Sequence, residues 1–173
     1  MGSPQLFTEV FDRHAPAIHR FVARRVGTHA ADDVLSETFL LAFDQRGRFD
    51  GAYASARPWL YGIAANLMRR LQRSEIRRWR AIAAIGHTTE PAFDDDANER
   101  LDSAARLPMM AAVLASLNEG DRHVLLLFAW EDLSYAEIAV ALDIPIGTVR
   151  SRLNRARTQM RAVLGPDVMQ EMD

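Results

Sequence analysis

Apolar residues recur at helical spacing along most of this chain, whereas the strict alternation typical of a half-buried strand is nearly absent. Glycine and proline, which interrupt helices, are sparse. A stripe of apolar residues every three or four positions predicts an amphipathic helix that buries one face. In the first segment this stripe consists of Phe7, Val10, Phe11, Ile18, Phe21, Val22 and Val26. A second helix is predicted at Ala31–Phe43, with Asp32 and Asp33 in its first turn, where carboxylates favour the helix dipole. The sequence therefore predicts an all-α protein, and its 173 residues suffice for one ordinary domain or two small ones.

The helical pattern divides the chain into two ordered blocks, residues 4–85 and 107–164, followed by a short tail at 165–173. Between the blocks, residues 86–106 hold six acidic residues, two arginines and few apolar side chains. This composition is typical of a flexible linker. We therefore predict two small helical domains joined by an acidic linker.

Composition also limits the cellular compartments in which the protein can be expected. The absence of cysteine excludes disulfides and thiolate metal sites, and is expected of a protein in a reducing cytoplasm. No apolar run approaches the roughly 18 to 20 residues that a membrane span requires, and the N-terminus lacks the pattern of a signal peptide. We expect a cytoplasmic protein with no membrane insertion.

The second block contains the pattern of a helix-turn-helix motif. Asn118 can cap the helix "EGDRHVLLLFAW" that precedes it. Ser134 and Glu137 form an S-x-x-E capping box, which predicts a helix that starts at Tyr135. A short turn with Pro145 follows, and proline suits the first turn of a new helix. The last helix then carries an apolar stripe at Val149, Leu153, Ala156, Met160 and Leu164. Helix, short turn and helix is the plan of a DNA-binding motif.

The charge of that last helix favours DNA as its ligand. From Ile144 to Leu164 there are five arginines and no acidic residue, although the whole chain has a formal net charge of -2. The arc opposite the apolar stripe holds Arg150, Ser151, Asn154 and Arg155. Arginine pairs with guanine edges or phosphates, and asparagine reads adenine. The alternative is a solvated helix in a bundle, for which a mixture of both charges would be normal.

A second positive face lies in the first block. The segment Pro58–Arg80, interpreted as one long helix, has six arginines and a single glutamate. On a helical wheel Trp59, Gly62 and Asn66 fall on the arginine-rich arc. Aromatic side chains that stack on bases, beside arginines that hold the backbone, are typical of a single-strand nucleic-acid surface. The alternative for Trp59 is packing on a neighbouring helix.

Three segments in this order resemble the extracytoplasmic-function (ECF) class of bacterial sigma factors. They are "ADDVLSETFLLAF", "RPWLYGIAANLMRR" and "LSYAEIAVALDIPIGTVRSRLNRAR". The resemblance spans about residues 6–164 and implies a sigma-two and a sigma-four domain. It implies that the protein directs promoter-specific transcription initiation, needs no cofactor or metal and is not itself an enzyme. The implied partners are core RNA polymerase and promoter DNA, as duplex and as single strand, and an anti-sigma factor is a further candidate. The chain would be a monomer when free, or 1:1 with a partner.

The resemblance also implies roles for individual residues. The −35 element would be read as duplex by Thr148, Arg150, Ser151, Arg152, Asn154 and Arg155. The −10 element would be melted and captured by Trp59, Asn66, Arg69, Arg70 and Arg73, with the loop at residues 49–57. Core polymerase would contact Asp32, Asp33, Ser36, Glu37 and Leu40. Two positions depart from the family pattern, because Ser36 stands where glutamine is common and Leu41 where arginine is frequent.

Two other classes of protein are compatible with parts of the sequence. A stand-alone helix-turn-helix regulator would bind duplex DNA by itself, usually as a symmetric dimer, and would leave the Trp59–Arg80 face without a role. An enzyme or metal protein could use Asp33 and Glu37, which lie one helical turn apart. The five histidines, however, do not fall into metal-ligand spacing with one another.

Overall fold

The computed structural model describes residues 4–49, 55–85 and 98–165. Within these ranges the regular structure is entirely helical, which confirms the predicted all-α class. The acidic run Asp94–Asp96, residues 50–54 of the predicted −10 loop and the tail from residue 166 lie outside the described residues.

Eight α-helices follow one another in the described chain. They are α1 (Pro4–Val26), α2 (Thr28–Asp44), α3 (Arg57–Met68), α4 (Gln72–Ile85), α5 (Asn98–Ser116), α6 (Glu119–Glu131), α7 (Tyr135–Leu142) and α8 (Ile146–Leu164). Short 3₁₀ segments lie at Arg46–Arg48 and Arg69–Leu71. Gly27, with φ of 94°, occupies the left-handed region between α1 and α2, where a residue with a Cβ would be strained.

The predicted long helix Pro58–Arg80 is wrong as a single helix. The 3₁₀ segment Arg69–Leu71 separates α3 from α4. The arginines of α4 therefore lie on a different helix from Trp59 and Gly62 of α3.

Two predicted helix starts also shift. The helix predicted at Ala31–Phe43 begins three residues earlier, at Thr28. Asp32 and Asp33 consequently lie in its second turn, and the structure records no acidic residue in the first turn of α2. The expected stabilisation by the helix dipole is lost, because that effect is confined to the first turn. Helix α5 begins at Asn98, inside the stretch predicted as linker.

One continuous apolar core joins the helices of both sequence blocks. Helix α4 packs along α5, α3 packs on α7, and α6 packs on α8. Fully buried side chains come from either end of the chain, for example Phe21 of α1, Leu60 of α3 and Leu127 of α6. The two blocks therefore contact each other directly.

Candidate nucleic-acid interface

The helix-turn-helix forms as the sequence predicts. Ser134 caps α7, and both hydrogen bonds of the predicted capping box with Glu137 are present. Helix α7 ends at Leu142 and is followed by Asp143, whose φ of 50° lies in the left-handed region that short polar side chains tolerate. Pro145 then caps α8 from the position just before its first residue.

Helix α8 buries one stripe and exposes the opposite one. Val149, Leu153, Ala156 and Met160 are buried. Arg150, Ser151, Asn154 and Arg155 are exposed, whereas Thr148 and Arg152 are half-buried. All six predicted −35 residues therefore lie on one helix, with four of them accessible to a partner.

Arg155 is tied to the first turn of α6. Its Nε and Nη2 donate hydrogen bonds to the carboxylate of Asp121 at 2.9 and 2.7 Å. Asn118, which caps α6 as predicted, donates a further bond to that carboxylate at 2.7 Å. The hydrogen bonds and the charge of Asp121 raise the pKa of Arg155.

The second positive face is built by α3, the 3₁₀ turn and α4. Asn66, Arg69, Arg70 and Arg73 are exposed, as predicted for residues that contact DNA. The predicted exposure of Trp59 is wrong, because its ring is half-buried and lies 5.3 Å from the ring of Phe49. The packing alternative for this tryptophan is the one that the structure shows.

Two arginines of this face form surface ion pairs. Arg70 donates to Glu37 of α2 at 2.8 Å. Arg69 lies 3.8 Å from Glu119 of α6. The Arg70–Glu37 pair is exposed on both sides, and such pairs are worth about 0 to 1 kcal/mol, so a phosphate group can replace the Glu37 carboxylate at little cost.

The exposed face of α2 combines polar and apolar groups. Asp32, Asp33, Ser36, Glu37 and Leu40 are all exposed, and Leu40 exposes 62% of its surface. The Nε2 atom of His19 lies 2.8 Å from Oδ1 of Asp32. No group of three or more histidine and carboxylate side chains among the described residues is arranged to hold a metal ion.

Family models match the chain in two places. The model for sigma-70 region 2 matches residues 10–80, and the model for sigma-70 region 4 matches residues 109–160. RNA polymerase sigma factor CarQ of Myxococcus xanthus is 34% identical over 165 residues, which cover 95% of this chain and 92% of CarQ. ECF RNA polymerase sigma factor SigC of Mycobacterium tuberculosis is 35% identical over 150 residues, or 87% of this chain and 78% of SigC. The chain belongs to the ECF class of sigma factors.

Two solved structures share the fold of this ECF sigma factor. CnrH, in complex with the cytosolic domain of CnrY, has a TM-score of 0.65 and 27% identity over 96% of this chain and 92% of CnrH. The sigma factor RpoE of Bartonella quintana, in complex with the anti-sigma factor NepR, has a TM-score of 0.63 and 20% identity over 93% and 98% of the two chains. Sigma factors act in transcription initiation and are not enzymes. Within the described residues no helix is long and apolar enough to span a membrane.

A buried ion cluster joins region 2 to region 4 of this ECF sigma factor. Glu75 of α4 accepts bonds from Nε and Nη2 of Arg25 at 2.7 and 3.0 Å. Nε of Arg122, on α6, lies 3.3 Å from the same carboxylate. All three side chains are buried. Arg122 also donates hydrogen bonds to the carbonyls of Leu114, in the last turn of α5, and of Leu117, just after it. The same side chain therefore binds the C-terminal end of α5 and faces Glu75.

The electrostatics of this cluster favour an ionised carboxylate. Burial by itself would raise the pKa of Glu75, but the charge and hydrogen bonds of Arg25, followed by the charge of Arg122, outweigh it and lower the pKa. The neighbouring His123 is buried, and burial together with the charges of Arg25 and Arg122 lowers its pKa well below the ordinary value. His123 is therefore neutral near pH 7.

A second contact between the regions centres on Glu131 at the end of α6. Its carboxylate accepts a hydrogen bond from the hydroxyl of Tyr61 and lies 3.8 Å from Nη2 of Arg57. Burial raises the pKa of Glu131. Trp130, the preceding residue, packs edge-on against Phe21 at 6.4 Å.

Gly62 marks the closest approach of α3 to the helix-turn-helix. A Cβ at this position would lie 2.3 Å from the carbonyl oxygen of Ala141. The sequence placed Gly62 on a face open to DNA, and that placement is wrong because α7 covers it.

Sequence reasoning missed the Arg25–Glu75–Arg122 cluster. Arg25 and Arg122 are fully buried, whereas arginine is ordinarily an exposed residue. The one available signal is Glu75, which is the single acidic residue among the six arginines of Pro58–Arg80.

Proposed function

We propose that this sigma factor reads the −35 element as duplex with α8 and the −10 element as a separated strand with α3 and α4, while α2 binds core RNA polymerase. The observation that carries the proposal is the exposed face of α8, where Arg150, Ser151 and Asn154 project from a correctly capped helix-turn-helix. Arginine and asparagine are the side chains that best discriminate guanine and adenine in the major groove.

Transcription from a fragment library tests this function directly. The purified chain would be mixed with bacterial core RNA polymerase, and start sites would be mapped by run-off transcription. We expect starts downstream of a shared pair of elements. Specific duplex binding by the chain alone, with no transcription start, would instead support the stand-alone regulator.

Arg150→Ala is expected to weaken discrimination at one base pair of the −35 element by about 5- to 150-fold, because a bidentate base contact is worth about 1 to 3 kcal/mol. Binding of core polymerase should persist. The measurement is competition between library sequences for the variant holoenzyme. Arg161→Ala removes an exposed arginine from the last turn of the same helix and should leave base preference unchanged. Equal loss of polymerase binding in Arg150→Ala would contradict the assignment of α8.

Asn66→Ala and Arg73→Ala are expected to slow promoter opening about tenfold or more, since unstacking a base costs a few kcal/mol that protein contacts must offset. Both side chains are exposed on the second positive face. Permanganate footprinting on duplex and on a pre-melted template separates opening from binding. Arg13→Ala, which removes an exposed arginine of α1 outside that face, is the matched control. Equal loss on the two templates would contradict a role in melting.

We also propose that an anti-sigma factor competes with polymerase for α2. Leu40 and Phe11 expose 62% and 42% of their surfaces, and a partner that covers them gains hydrophobic stabilisation. We expect the free chain to be a monomer and each complex to be 1:1. Light scattering of the free chain and of the polymerase complex checks both stoichiometries.

A further inference from the structure

Asp121 is a buried carboxylate whose partners lie on two different helices. Its side chain is 1% exposed, whereas that of its partner Arg155 is 54% exposed. The carboxylate receives both hydrogen bonds from Arg155 and a third from Asn118 at 2.7 Å. The backbone N–H of Asp121 in turn donates to Asn118 Oδ1 at 2.9 Å. The capping residue Asn118 thus holds Asp121 in place, and the Asp121 carboxylate in turn binds the Nε–Nη2 edge of the Arg155 guanidinium.

The geometry leaves Arg155 with donors for a second partner. A guanidinium has five N–H groups, and two of them are used by Asp121, so 5 − 2 = 3 remain. These three are the second hydrogen of Nη2 and both hydrogens of Nη1, a pair of nitrogens that can bind bidentately. Arg155 follows Asn154 and lies one turn after Ser151, and its side chain is half exposed, so it borders the face proposed to meet DNA and remains accessible to a partner there.

We propose that Asp121 is a positioning residue that holds Arg155 in a fixed orientation for contact with the −35 duplex. The inference rests on the proposed function of α8. A free arginine side chain carries about 2 kcal/mol of rotamer entropy. Two charge-assisted hydrogen bonds remove part of that freedom before DNA arrives, so less entropy is lost on binding.

The carboxylate of Asp121 also has an opposite effect on DNA binding. It places a negative charge behind the guanidinium, and this charge weakens the attraction of Arg155 to phosphates. If competition outweighed orientation, removal of the carboxylate would strengthen DNA binding. Weaker DNA binding after removal of the carboxylate therefore indicates that Asp121 positions Arg155, and stronger binding indicates that Asp121 competes with DNA for Arg155.

The test uses the full chain in holoenzyme with core polymerase and a DNA library randomised across the −35 element. Asp121→Asn keeps the shape of the side chain and removes its charge. We expect it to weaken binding to the selected sequences about 3- to 30-fold, in line with coupling between contacting residues. If Arg155 contacts a base, Arg155→Ala should relax the preference at one base pair of the −35 element, and Asp121→Asn should relax the preference at that same base pair. If Arg155 contacts phosphate, both variants should instead reduce the slope of the salt dependence.

A double-mutant cycle distinguishes positioning from simple support of the fold. Adding Asp121→Asn to Arg155→Ala should cause little further loss, because Asp121 acts through Arg155. Stronger binding by Asp121→Asn, or additive losses in the double variant, would overturn the proposal. Thermal unfolding of each variant corrects for any loss of folded protein. If Arg150→Ala and Asn154→Ala leave base preference unchanged, the proposed function of α8 fails. That result is distinct from a failure of Asp121 as a positioning residue, which would show only in the Asp121 and Arg155 variants.

Discussion

Glu75→Gln is expected to lower the free energy of unfolding by about 3 to 5 kcal/mol, because it leaves two buried arginines without their carboxylate. Arg25 and Arg122 are both fully buried, so water cannot replace the lost charge. Urea unfolding followed by circular dichroism measures the change. Glu37→Gln is the matched control, since the Glu37–Arg70 pair is exposed and should contribute about 1 kcal/mol or less.

The pH dependence of stability should identify Glu75 by its sign. Its pKa in the folded chain lies below the ordinary value of 4.5, so the folded state binds fewer protons than the unfolded state in this range. The stabilisation is fully present above about pH 4.5 and is lost as the pH falls through the folded pKa. Glu131, whose pKa is raised, changes the stability with pH in the opposite direction, and it does so both in the unsubstituted chain and in the Glu75→Gln variant. Subtracting the Glu75→Gln profile from that of the unsubstituted chain therefore isolates Glu75, and a difference independent of pH between 3 and 6 would contradict this account.

Gly62→Ala is expected to destabilise the protein by about 2 to 3 kcal/mol, although the same change in an open helix stabilises it by about 0.5 to 1 kcal/mol. The added methyl group would lie 2.3 Å from the carbonyl oxygen and 3.1 Å from the carbonyl carbon of Ala141. Both are backbone atoms and cannot rotate away, so α3 and α7 must separate. Thermal unfolding gives the stability, and limited proteolysis reports whether the two regions have separated.

Gly47→Ala provides the control for Gly62→Ala. No heavy atom lies within 4 Å of a Cβ built at Gly47, so this substitution meets open space. We expect a change of no more than about 0.5 kcal/mol, as is usual for surface substitutions. A stabilised Gly62→Ala protein would mean that α7 does not lie on α3 in solution.

Local signals in the sequence were sufficient for the second block. The capping box at Ser134, the Asn118 cap and the apolar stripe of α8 each depend on neighbouring residues, and the structure contains all three. The four exposed residues of α8 follow from the same periodicity. Features that depend on a few consecutive residues can be predicted because the physics that determines them is local.

Features that depend on distant residues could not be predicted in this way. The 3₁₀ segment Arg69–Leu71, which separates α3 from α4, contains no glycine or proline from which a helix break could be predicted. Trp59 and Gly62 look accessible on an isolated helix, and only the packing of Phe49 and of α7 covers them. Arg25 and Arg122 are 97 residues apart (122 − 25) and lie in different blocks, so no periodicity relates them.

The packing of region 4 on region 2 limits how far the sigma factor can reach along DNA. A folded body built from the described residues is about 40 Å across. Elements centred about 25 base pairs apart are separated by about 85 Å along the duplex. A chain in this arrangement can touch one element but cannot span both, so simultaneous reading, as we propose, requires α5 to leave α4 and α7 to leave α3. If both elements are read at once, as we propose, promoter affinity depends on the population of extended molecules. Polymerase that holds the two regions apart would then set the distance between the two DNA elements that the sigma factor can contact.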